Sequence, residues 1–231
     1  MDTAIPSFSV NPLSDALKEK LDSIWKERCP VPLKRLSLVT FSFYDFEDNE
    51  HQGGELVVLD SVAKRVMSIF ERLHGVKFPI AQALSINAFE SPEAAMDGNN
   101  TSAFRFRDIR SHPDSSIHAY ETAIDINPTQ NPLLIIKDLV HPYKATVEVY
   151  PAEGSYFLNR AIMSRGMAEE VVDVFKENGF TIWGGDWIHP IDWKHFQTPL
   201  VLAKLMVAVP PDDAERLFEV FIHDPSLIDT P

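Results

Sequence analysis

His118 and Asp125 stand seven residues apart in the segment Ser116-Ile117-His118-Ala119-Tyr120-Glu121-Thr122-Ala123-Ile124-Asp125, which otherwise reads as a buried strand. Far downstream, Asp192-Trp193-Lys194-His195 supplies a second acid and a second imidazole. A catalytic zinc takes three protein ligands and keeps a fourth position open for water. It also needs a nearby carboxylate, off the metal, that takes the proton of the attacking water. His118, Asp125 and His195 fit the ligand roles, and Asp192 fits that of the base. Spacing alone is a weak signal, because eight histidines in 231 residues give many accidental pairs. A lone His is more often a hydrogen-bonded core or surface residue than a ligand.

The two pieces make different demands on the backbone. Residues seven apart on a flat strand face opposite sides, so the chain must turn between His118 and Asp125. Tyr120-Glu121-Thr122 is the expected turn, with a strand over 123–126 after it. Ile124 and Ile126 then point into the core and Asp125 to the other face. An Asp among such apolar neighbours is costly to desolvate unless a positive partner, such as a metal, compensates it. Asp192 and His195, three apart, share one face if that segment is a helical turn.

The remaining composition narrows the classes. Hydrophobic residues make up 45% and charged residues 24%, which suits a globular chain able to bury a core. A net charge of −13 and a pI near 5.0, without a basic patch, argue against nucleic acid and anionic lipid as partners. A single cysteine, Cys29, excludes an intramolecular disulfide framework and a Cys-rich zinc knuckle, so a metal must use His and carboxylate ligands. Cys29 is expected to pack at a helix end. The first ten residues lack the basic and apolar parts of a secretory signal, and no run is long enough to span a membrane. The expectation is a cytoplasmic protein, or one exported by a signal this sequence lacks or by another route. The oligomeric state is left open.

Along the chain, residues 1–11 read as an irregular arm, followed by a helix from Ser14 that Pro30 stops. Val39, Phe41 and Phe43 alternate as in a strand, Gly53-Gly54 turns, and 55–59 forms a short apolar strand. Asp60 is expected to cap a helix whose stripe is Val62, Val66, Ile69, Phe70 and Leu73. A strand is expected around 84–89, a polar loop over 90–101, and a strand over 103–107. In that last strand Arg105 and Arg107 share a face, able to hold a carboxylate or simply solvated. Residues 127–165 read as loop-rich, with the prolines and Gly154 as breakers. A helix over 167–178, a strand over 180–183, an apolar run over 200–209 and a last helix from Asp212 or Asp213 complete the reading. Strands and helices without a βαβ cadence point to α+β. The expected division is an N-terminal arm and helix over 1–30 and a single domain over 31–231.

The residues of the opening segment also resemble a known family. Ser116-x-His118-x-x-Glu121-x-Ala123-x-Asp125 is similar to the SxHxxGxAxD signature of zinc D-alanyl-D-alanine carboxypeptidases, the VanY-like peptidases. Asn99-Asn100-Thr101-Ser102-Ala103-Phe104 with Arg107, Asp125-Ile126-Asn127-Pro128 with Asn131-Pro132, Trp183-Gly184-Gly185-Asp186-Trp187 and Asp192-x-x-His195-Phe196 look like that family too, in its order. The likeness runs from about Gly53 to Phe196. It implies a small antiparallel sheet flanked by helices, of the Hedgehog/DD-peptidase type, with one Zn2+. His118, Asp125 and His195 match the zinc ligands and Asp192 the general base. Arg107 matches an arginine that engages substrate or the oxyanion, and Ser116 a residue beside the substrate. The implied substrates are peptidoglycan stem peptides or D-Ala-terminated peptides, cut beside D-amino acids. One position departs from the pattern: Glu121 replaces the family glycine. If the turn needs φ > 0, a Glu there costs about 1 kcal/mol or more, and its charge lies near the metal.

Other residues have two readings each. Asp186 either orients a ligand histidine or caps the Gly184-Gly185 turn. Trp187 and Trp193 either line a groove or pack in the core, and His189 is either a substrate group or an exposed loop residue. His112 and His141 are assigned nothing. No phosphate-binding glycine loop and no GxSxG elbow occurs. Two functions compete: a zinc peptidase (carboxypeptidase, dipeptidase or L-alanyl-D-glutamate endopeptidase) and a catalytically silent module that binds cell-wall peptide or a protein.

Overall fold

Among the described residues, three small antiparallel sheets of three strands each carry the fold, and helices pack against them. The computed structural model describes residues 5–22, 29–85, 88–103, 117–137 and 145–228. Arg105, Arg107, His112, Ser116 and His141, all weighed above, lie outside the described residues.

The first sheet has the order β1-β2-β3, from β1 (Phe8–Pro12), β2 (Leu36–Tyr44) and β3 (Glu50–Leu59). Residues 8–12 are therefore an edge strand rather than an irregular arm: Phe8 to Pro12 pair in register with Phe41 to Ser37. Pro12 is tolerated because it ends an edge strand. Helix α1 (Asp15–Asp22) follows, with the Ser14 hydroxyl accepting from the Leu17 amide. Helix α2 (Ala63–Gly75) lays Val66, Ile69, Phe70 and Leu73 on the sheet, and the Phe70 ring stacks on Phe41 at 3.9 Å. Asp60 does not cap this helix. Its carboxylate takes two hydrogen bonds from the buried Arg35 guanidinium, which also donates to the carbonyls of Met206, Val207 and Val209.

Instead of a strand around 84–89 and a plain loop after it, the described residues hold a short helix α3 (Pro92–Asp97). Ser91 caps it through the Ala94 amide and Pro92 takes the first turn, a pairing of N-cap and proline visible in the sequence. The loop-rich stretch contains a hairpin, β5 (Leu133–Lys137) with β6 (Thr146–Tyr150), flanked by β8 (Ile191–Asp192). Prolines there punctuate strands rather than abolish them.

The third sheet, order β4-β9-β7, uses β4 (Ala123–Asp125), β9 (His195–Gln197) and β7 (Ile182–Trp183). The expected helix over 167–178 is a 3-10 turn at Ala168–Glu170 followed by the short α4 (Val172–Glu177). Its Phe175 stacks on Phe196 at 3.9 Å, behind β9. The apolar run is helix α5 (Leu200–Ala208), and α6 (Pro211–His223) closes the core with Phe218 and Phe221. Among the described residues no helix is long and apolar enough to cross a membrane.

Candidate metal centre

Backbone register brings the first pair of ligand candidates together. Asp125 gives its amide to the Ser102 carbonyl and its carbonyl to the Ser102 amide, at 2.7 and 2.9 Å. On its other side it faces His195 across the β4–β9 ladder, where no main-chain bond joins the two. Such non-hydrogen-bonded pairs hold their side chains closest. His195 Nδ1 accordingly lies 2.9 Å from Asp125 Oδ1. Strand alternation sends Ile124 and Phe196 to the opposite face, where both are fully buried.

His118 arrives by the expected turn. A 3-10 helix over Ile117–Tyr120 ends at Glu121, whose φ is +56° and whose amide donates to the His118 carbonyl at 3.1 Å. The reversal puts His118 Nε2 3.1 Å from His195 Nδ1 and 3.4 Å from Asp125 Oδ1. The three ligand candidates named from sequence thus converge, all buried.

Asp192 comes close by another route than a helical turn. It ends β8 in the second sheet, opposite Leu133, whereas His195 opens β9 in the third. Trp193 and Lys194 form the corner between the sheets, held by the Ile126 amide on the Lys194 carbonyl at 3.0 Å. Gly184 packs so tightly on this corner that a Cβ there would come within 2.4 Å of the Asp192 carbonyl oxygen. Across this turn the Lys194 side chain comes back to Asp192, and its ammonium hydrogen-bonds the Asp192 carboxylate. The same ammonium lies 3.8 Å from Asp125 Oδ2.

The outer ring nitrogens fix the tautomers. His118 Nδ1 faces the Ala103 carbonyl at 3.0 Å, which only accepts, so this nitrogen carries hydrogen. His195 Nε2 faces Gln197 Oε1 at 2.8 Å and carries hydrogen likewise. In the neutral rings the inner nitrogens are then both bare. Two imidazole lone pairs and a carboxylate oxygen consequently point at one another, an arrangement that calls for a cation between them. Burial acts to raise the Asp125 carboxyl pKa. Lys194, then His118 and His195, outweigh burial and hold it well below the usual carboxylate range. Burial acts to lower the His195 pKa, but Asp125 and, through its charge, Asp192 raise it above the ordinary imidazole value.

These donors fit zinc. Bonds of about 2.0–2.1 Å at tetrahedral angles place neighbouring donor atoms about 3.3 Å apart, close to the separations of 2.9, 3.1 and 3.4 Å here. Ligand histidines commonly donate their outer N–H to a carbonyl or similar acceptor, as both do here.

Residues 110–198 match a family model for D-alanyl-D-alanine carboxypeptidase, of the M15 peptidases. The matched stretch contains His118, Asp125, Asp192 and His195, and the small antiparallel sheets flanked by helices agree with the Hedgehog/DD-peptidase-like fold. The M15 match and the His-Asp-His cluster together support a zinc-metallopeptidase fold. No curated protein and no solved structure matches the chain.

Three neighbours of the M15-like cluster escaped the sequence reading. Gln197 was legible in principle, because period two in a strand puts it on the His195 face. Lys194 lies in the turn between β8 and β9, where no period places its side chain, and the Ala103 carbonyl left no signal in residue type. Asp186 does not orient a ligand histidine: it is exposed and pairs with Lys176 at 3.1 Å. Trp187 packs its half-buried ring beside His195, 5.4 Å between centroids, while Trp193 lies against the core with Arg160 over its ring. His189 is exposed. A small cleft, with room for about one water, lies next to Asp125, between Ala95 and Met96 of α3 and Asn100, Ser102 and Pro128.

Proposed function

We propose that the chain is a zinc-dependent peptidase that hydrolyses a peptide bond next to a D-amino acid in peptidoglycan stem peptides, in the manner of a D-alanyl-D-alanine carboxypeptidase. The observation that carries this reading is the convergence of His118 Nε2, Asp125 Oδ1 and His195 Nδ1 within 2.9 to 3.4 Å, beside a further carboxylate, Asp192. Held by His118, Asp125 and His195, zinc would acidify water and polarise a scissile carbonyl. Asp192 would act as the general base, taking a proton from the water that attacks the carbonyl carbon and returning it to the nitrogen as the C–N bond breaks, which gives an amine and a carboxylic acid that then ionise. Arg107 and Ser116 keep the substrate roles implied by the resemblance, Arg107 on the oxyanion or the terminal carboxylate.

A second reading has one observation in its favour. Glu121, where the family has glycine, sits at positive φ with a buried carboxyl whose Oε2 has no partner. A chain that has relaxed its catalytic constraints would bind cell-wall peptide or a protein at the same site without cutting. Metal analysis of the purified chain, followed by assay of D-Ala release from a stem pentapeptide, separates the two. One zinc per chain with D-Ala released is the expected result. Bound zinc without hydrolysis of any muropeptide favours the binder, and a chain that takes up no zinc overturns the metal site itself.

A further inference from the structure

Lys194 is the one long charged side chain in the molecule's described core with no surface exposure at all. A buried ammonium is costly unless carboxylates compensate it closely, and here two do. It hydrogen-bonds the Asp192 carboxylate and stands 3.8 Å from Asp125 Oδ2, while Asp125 Oδ1 turns the other way, to His195 and His118 at 2.9 and 3.4 Å. The two oxygens of Asp125 thus face different partners, one the ring nitrogens and the other the ammonium.

We propose that Lys194 is a positioning residue that restricts Asp125 to ligation of a metal through one oxygen and holds the Asp192 carboxylate beside it. A carboxylate can bind a metal through one oxygen or both. Binding through both would fill a position that a hydrolytic zinc keeps open for water. By drawing Oδ2 toward itself, Lys194 opposes that rotation. Being fully buried, it reaches no substrate, so it acts only through the two carboxylates. The corner geometry makes this possible: the Lys194 carbonyl is pinned by the Ile126 amide, and the turn at Trp193-Lys194 leaves its side chain against the Asp192 carboxylate.

The inference rests on the zinc reading above, and the experiment distinguishes their failures. Cobalt(II) loaded into the whole chain in place of zinc reports coordination number, since four-coordinate cobalt absorbs visible light several-fold more strongly than five- or six-coordinate cobalt. Lys194→Met is expected to lower that absorption several-fold and to weaken cobalt binding on the order of tenfold. Lys194→Arg, which keeps the charge, is expected to restore both toward the wild-type values. Should Lys194→Met fold too poorly to purify, Lys194→Gln, neutral and nearly as long, carries the same expectation. A folded neutral variant with wild-type cobalt absorption and affinity overturns the role of Lys194 and leaves the zinc site standing. A wild-type chain that takes up neither cobalt nor zinc overturns the metal reading, and this inference with it.

Discussion

Asp125 and His195 are opposite partners across the β4–β9 ladder, and their side chains meet at 2.9 Å because Asp125 commits both main-chain groups to Ser102. Two ligand candidates are thereby placed by sheet register rather than by loop conformation, and a one-residue slip of either strand would send its own candidate into the core. His118 joins them from a tight reversal, so the site is preorganised on rigid elements.

The first prediction concerns that metal. Wild-type protein should carry one zinc, and His118→Ala should carry none by elemental analysis. Gln197→Ala frees the outer nitrogen of His195 and should weaken zinc binding about 10- to 100-fold in a chelator competition. Zinc at a hundredfold excess over its Kd adds about 2.7 kcal/mol to stability, so stripping it should lower Tm by roughly 5–10 °C. Equal melting with and without chelator would count against a bound metal.

Asp192 separates chemistry from binding. It lies outside the three-atom cluster, tied to it through Lys194. Asp192→Ala should therefore keep its zinc while losing turnover by at least about 100-fold, the usual worth of a general base. Zinc content and D-Ala release measured on one preparation test both halves. Full activity would remove Asp192 from the base role.

How much of this was legible in advance follows from which residues carried periodic signals. The apolar stripe of α2 and the alternation of β2 are long, and the structure repeats them. The reversal at Glu121 was legible because two candidate ligands on one strand could not otherwise converge. Strands β7, β8 and β9 have two or three residues each, too short for any period to register. This is why Asp192 and His195 suggested a helical turn when they belong to two sheets. The run 200–209 is apolar nearly throughout, so periodicity could not distinguish a buried helix from a strand. Asp60 looked like a cap, and only the tertiary fold reveals Arg35 as its partner.

Glu121 provides a prediction in pH. Burial pushes its carboxyl pKa well above the usual value, and its Oε2 has no partner. For a carboxyl raised in the folded state, the unfolded chain ionises first as pH rises. The resulting penalty is absent below the unfolded pKa, near 4.3, and grows with pH until the folded group ionises too. Glu121→Gln should match wild type near pH 4 and gain on it steadily toward neutral pH. Glu121→Gly also relieves the φ of +56°, and should melt a few degrees higher at every pH, for about 1 kcal/mol of strain removed. Thermal melts of the three proteins between pH 4 and 8 decide the matter, and parallel curves would rule out a titrating Glu121.

Arg35 provides the last prediction, on stability alone. Its guanidinium is buried, forks onto Asp60 at 2.6 and 3.0 Å, and closes the C-terminal end of α5 through the carbonyls of Met206, Val207 and Val209 at 3.0 to 3.4 Å. Those carbonyls lie at the end of a helix, where no further turn of the chain can satisfy them, and the cation also suits the negative end of the helix dipole. Arg35→Met keeps much of the apolar stem but strands the Asp60 carboxylate and the carbonyls, a loss of about 3–5 kcal/mol for a broken buried pair. Arg35→Met with Asp60→Asn should recover part of that loss, because the uncompensated charge goes with the second change. Urea unfolding of the two single variants and the double one gives the coupling energy. Strictly additive losses would show that the pair does not act as a unit. Zinc content should stay at the wild-type level in the folded variants, since Arg35 contacts the α5 end rather than the His-Asp-His cluster.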